Sequence, residues 1–61
     1  MIKEELVLLY KSEINDKAIE IDPNNEYDWF SLTMGWALAK GLSPIKALKF
    51  SSYIRYETEF G

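Results

Sequence analysis

Apolar positions along this 61-residue chain recur at spacings of three and four in three separate stretches, the periodicity of amphipathic helices. Two clusters of turn formers, Asp22-Pro23-Asn24-Asn25 and Gly41-Leu42-Ser43-Pro44, interrupt that pattern. Such clusters end helices because Asp, Asn, Gly and Ser favour turn backbone and Pro lacks the helix N–H. The expected fold is all-α: one compact three-helix domain covering residues 1–61, with a central second helix. Helix one is expected over about 2–20, helix two over about 26–40 and helix three over about 44–59.

In the first stretch Val7, Tyr10, Ile14, Ala18 and Ile21 form an apolar face that Leu6, Leu8 and Leu9 widen. Glu4 and Glu5 in its first turn, with Lys11 and Lys17 further along, suit the helix dipole. Its tail, Ala18-Ile19-Glu20-Ile21, alternates and also reads as a short extended piece. The second stretch begins with Asn25 as N-cap and Asp28 three positions on, a pairing close to a capping box. Gly41 is placed to close it in a left-handed conformation that a side chain resists. Tyr27, Phe30, Met34, Ala37 and Leu38 fall on one side of this helix, and Trp29, Leu32, Trp36 and Ala39 nearly opposite. A helix apolar on two sides is normally buried on two sides. The third stretch opens with Ser43 as N-cap and Pro44 at the first helical position. Ala47, Phe50 and Ile54 make its stripe, with Ile45 and Leu48 beside it. Tyr53, Tyr56 and Phe60 project elsewhere, near Lys46 and Lys49.

Composition sharpens the picture. A chain this short buries only about 60% of its unfolded surface, so stability is marginal. Cysteine and histidine are both absent, which leaves no disulfide, thiolate metal site or imidazole proton shuttle. With 48% apolar and 15% aromatic residues, the routes left are rich packing and self-association. Seven basic against ten acidic residues give a net charge of −3, which disfavours generic binding to nucleic acid or anionic membrane. No apolar run approaches the roughly 20 residues of a membrane span. The opening Met1-Ile2-Lys3-Glu4-Glu5 carries acids where a secretory leader is basic, so a cytoplasmic protein is expected.

Candidate chemistry is sparse. Glu13, Asp16, Glu20, Asp22, Glu26 and Asp28 cluster around the first turn, and they read as a solvated face. Asp16 to Asp28 lacks the alternating ligands and the glycine of an EF-hand. Ser31, Ser43, Ser51 and Ser52 have no histidine to activate them, and three glycines write no phosphate loop. No enzyme, catalytic residue, cofactor, metal or small-molecule substrate is expected.

Ala37, Gly41, Leu42 and Ser43 stand at the spacing of an alanine, a turn glycine, an aliphatic and a small polar residue. This stretch resembles the turn of helix-turn-helix DNA-binding proteins. The resemblance covers about 15 residues and implies an alternative function, with Lys46, Lys49 and Arg55 contacting phosphate. Ala18 to Asn25, followed by Trp29 and Leu32, is similar to the junction between tetratricopeptide repeats, though only one partial unit is present. A further alternative is an acidic inhibitor presenting Glu13 to Asp28 to a basic partner. The leading expectation is a small non-catalytic interaction or regulatory module that self-associates, a homodimer being favoured over other assemblies or a different protein partner. Its expected contact residues are Trp29, Leu32, Trp36, Tyr53 and Tyr56, with Ser31 and Gly35 forming a groove of small residues.

Overall fold

The computed structural model describes residues 3–57, which form α1 (Lys3–Glu13), α2 (Asn15–Ile19), α3 (Glu26–Ala39) and α4 (Pro44–Glu57). The architecture is all-α, and no strand occurs among the described residues. α3 is the hub: it packs along α4, touches α2, and receives Tyr10 from α1. Phe60 and the expected end of helix three at 58–59 lie outside the described residues.

Helix one corrects the expectation of a single element over 2–20. It breaks at Ile14, whose backbone sits at φ −135°, ψ −11°. Leu6, Tyr10, Ile14 and Ala18 are all buried, each four residues from the last. In a straight helix a spacing of four drifts by about 40° per step, so Ala18 would point about 120° away from Leu6. The break at Ile14 returns Ala18 to the core. Asn15 and Asp16 are weak helix formers that favour first turns, although Asn15 Oδ1 is buried there with no partner among the described residues. Ile14 N–H still donates to Tyr10 O (3.0 Å) and Ile14 O accepts from Ala18 N–H (3.1 Å), so Ile14 itself keeps a bond on each side of the bend.

The turns follow their residues. Asp22 Oδ1 accepts from Asn24 N–H (2.9 Å), and Asp22 O accepts from Asn25 N–H (2.8 Å). Asn25 caps α3 by accepting from Asp28 N–H (3.2 Å), while its amide donates to the Asp28 carboxylate (2.8 Å). The capping is reciprocal, as in a capping box, with the side-chain amide in place of the backbone donor. At the other end Gly41 adopts φ +99°. Leu42 N–H then reaches Ala37 O (3.2 Å) and Gly41 N–H reaches Leu38 O (3.0 Å), the paired bonds of a Schellman ending. Ser43 Oγ accepts from Lys46 N–H (3.3 Å), starting α4 one residue before Pro44.

The core gathers Leu6, Tyr10, Ile14, Ala18, Trp29, Ala37, Ala47, Phe50 and Ile54. Tyr10 stands at its centre, fully buried. Its ring meets Trp36 edge-on at 5.4 Å and Phe50 at 5.8 Å, and its hydroxyl shares a 3.1 Å hydrogen bond with the buried Thr33 hydroxyl. Burial pushes the Tyr10 phenol above its ordinary value, and the bond to Thr33 pulls it part of the way back. Replacing Tyr10 by Phe is expected to cost about 1–2 kcal/mol in denaturant unfolding, since it strands the Thr33 hydroxyl. Native stability should also fall as pH rises past the ordinary phenol value and through the raised folded value. Tyr10→Phe should flatten that alkaline decline.

Candidate protein-interaction surfaces

α3 is apolar on both sides, and the structure separates their roles. Trp29, Thr33 and Ala37 are buried against the other helices. Leu32 and Trp36 are half-buried against the same core. Tyr27, Ser31, Gly35 and Leu38 are exposed, and together with Phe30 and Met34, which are themselves half-buried against the core, they line an open groove of about 540 Å³ that Glu26 also borders. Ala37 thus departs from the side expected for it, turning inward while Ala39 is exposed.

The expected contact residues divide accordingly. Trp29 is 3% exposed, with its ring edge-on to Phe30 (5.0 Å) and the Arg55 guanidinium 5.0 Å from its centroid. Nothing of it is left for a partner. Trp36 stacks on Phe50 at 5.9 Å, donates its indole N–H to Glu13 (3.2 Å), and carries Lys40 over its face at 5.5 Å. Both indoles are engaged inside the chain, so the outward face of α3 carries the open apolar surface in their place. Tyr53 is half-buried beside the core, and Tyr56 is exposed with its hydroxyl donating to Glu26 (3.3 Å).

The charged candidates divide too. Arg55 turns inward: it donates to Pro23 O (2.8 Å), lies 3.8 Å from the Glu26 carboxylate, and its side chain is only 11% exposed. Its guanidinium is spent on the fold and presents little to phosphate. Lys46 and Lys49 remain exposed on α4. Among the acids, Glu13 forms a 2.8 Å ion pair with Lys40. The hydrogen bonds from Lys40 and then Trp36 hold its carboxyl below the ordinary carboxylate value, against a smaller opposing effect of desolvation. Asp22, Glu26 and Asp28 cap turns or pair with α4, while Asp16 and Glu20 are simply exposed. The acidic cluster therefore works mostly as stitching for the fold. Among the described residues no three acidic side chains converge as a metal site, and no helix is long and apolar enough to cross a membrane.

A second groove, about 350 Å³, is lined by Leu48, Lys49, Ser52, Tyr53 and Tyr56. A third, about 280 Å³, lies between Tyr53 and the α1 residues Glu4, Val7, Leu8 and Lys11. Sequence reasoning missed the buried Thr33 and Ser51. Ser51 satisfies its hydroxyl on Ala47 O at 2.8 Å, one helical turn back. Comparison with protein-family models, curated proteins and solved structures finds no match to this chain.

Two outcomes follow from the inward charges. Arg55→Ala should destabilise the fold by about 1–2 kcal/mol in urea unfolding, through the lost carbonyl bond and cation–π contact. A carboxylate with a lowered folded pKa stabilises above its unfolded value, and that contribution is lost as pH falls through the folded one. Glu13→Gln should therefore reduce the acid-side loss of stability, read as a shallower melting-temperature profile below about pH 5.

Proposed function

We propose that this chain is a non-catalytic interaction module that forms a homodimer across the outward face of α3. The observation that carries the reading is the groove from Tyr27 to Leu38, about three helical turns whose apolar surface the described residues cover only in part. Tyr27 is 81% exposed and Leu38 44%. A domain this small gains much by burying such a face, because its own core is limited.

A second copy suits the groove for two reasons. Glu26 is the only charged residue among its described lining, so it selects an uncharged apolar face, which the molecule itself displays. Nothing lies within 4 Å of where a Cβ would sit on Gly35, and Ser31 is small, so another helix has room to approach closely. An antiparallel two-fold pairing centred between Leu32 and Thr33 brings Tyr27 level with Leu38 of the second copy. It also sets Met34 against Ser31, large against small. The same arrangement separates the acidic first turns, Glu26 and Asp28, which a parallel pairing would press together. Isologous two-fold contacts of this kind are the commonest route to a homodimer.

Sedimentation at micromolar concentration should show a dimer, and Tyr27→Asp, at a position 81% exposed, should weaken it by at least about tenfold while the far-ultraviolet spectrum stays helical. A strict monomer would remove the proposal. The absence of cysteine gives a clean test of geometry. A mixture of Tyr27→Cys and Leu38→Cys chains should form a mixed disulfide under mild oxidation, with neither chain linking to itself. Tyr27→Cys chains that cross-linked to each other would indicate the parallel alternative.

A further inference from the structure

A different surface, built by α4 and α1, reverses the sign of the molecule's charge. The chain carries a net −3, yet α4 has no acidic residue in its first turn, and Lys46 and Lys49 stand exposed there. Around them lies uncovered apolar surface: Ile45 is 69% exposed, Leu48 49% and Tyr56 66%. Lys49 is the only charged side chain among the described lining of the groove formed with Leu48, Ser52, Tyr53 and Tyr56. Tyr53 is also a wall of the neighbouring groove, where α1 adds Val7 and the 66% exposed Leu8. Lys11 and Glu4 both line that second groove.

Ile45, Leu48, Lys49, Ser52 and Tyr56 fall at helical spacings of three and four on one side of α4. They run three turns, about 16 Å at 1.5 Å per residue. That length and its mixture of leucine, tyrosine and lysine match the footprint of a short amphipathic helix lying in a groove. From this juxtaposition we infer that the α4 surface centred on Leu48, Lys49 and Tyr53 is a docking site for an acidic amphipathic helix of a partner protein. The apolar stripe of such a helix covers Leu48, Tyr53 and Leu8, and its flanking carboxylates meet Lys46 and Lys49. Charge complementarity selects the partner, because the rest of this acidic molecule repels it. A phosphate backbone fits less well: two lysines beside an apolar groove offer few of the several cationic contacts duplex binding needs, and Arg55 is engaged with Pro23 and Glu26. The site shares no lining residue with the α3 groove and meets it only where Tyr56 donates to Glu26, so it stands whether or not the chain dimerises there.

The probe is a labelled synthetic helix with leucines at i, i+3, i+4 and i+7 flanked by glutamates, followed by fluorescence anisotropy against the full chain. A twin peptide with lysine for every glutamate, a random DNA duplex and anionic phosphatidylserine vesicles complete the set. The acidic peptide should bind saturably and weaken with rising salt. Lys46→Glu with Lys49→Glu should reduce its affinity at least about tenfold, and Leu48→Asp should do the same. All three positions are exposed, so circular dichroism should show the variants folded. Tyr27→Asp, which targets the α3 groove at an exposed position, should leave peptide affinity unchanged. Absence of saturable binding up to ~1 mM would overturn the inference. So would equal binding of the lysine twin, indifference to the double charge reversal, or preferential binding to the duplex or the vesicles.

Discussion

The structure depends on a single phenol. Tyr10 reaches from α1 into the angle between α3 and α4, where its ring touches Trp36 and Phe50 and its hydroxyl meets Thr33. A buried polar pair is costly if either member is alone. Tyr10 and Thr33 therefore specify one docking of α1 on α3, while the surrounding apolar contacts would tolerate several. Trp36 adds a second constraint at the same joint, because its indole N–H points at Glu13 near the end of α1. Burial supplies most of the stabilisation here, and the hydrogen bonds supply the register.

Much of the fold was legible in the residues because its boundaries are local chemistry. The Asn25 cap, the left-handed Gly41 and the Ser43-Pro44 start each act within four or five residues. The break at Ile14 was not legible, since periodicity counts positions and does not record the angular drift that a long buried row accumulates. Nor was the inward side of α3. Both sides are apolar, so a helical wheel is symmetric, and the choice is made by distant groups: Glu13 accepting from Trp36, and Arg55 covering Trp29. Thr33 gave one usable signal. It stands midway between Trp29 and Ala37 at a spacing of four, so a row containing those two must bury it and find it a partner.

The same symmetry explains why the expected contact residues and the open surface differ. Indoles are favoured anchors at interfaces because they combine area with a donor, and those properties also make them good anchors inside a small core. Here the chain has used Trp29 and Trp36 for itself and left Tyr27, Ser31 and Leu38 outside. What remains exposed on α3 is nearly free of charge, while what remains exposed on α4 carries lysine. The two faces therefore differ in the company they suit.

The bond from Arg55 to the Pro23 carbonyl joins positions 32 residues apart. During synthesis the bend between α2 and α3 emerges well before the residue that clasps it. Until most of α4 has been made, that bend has its short-range bonds and the packing of Ala18, Ile21 and Trp29 but not this long-range clasp. Growing chains usually settle from the amino end onward, but this fold has its latch on the late side. The bend between α2 and α3 is clasped last.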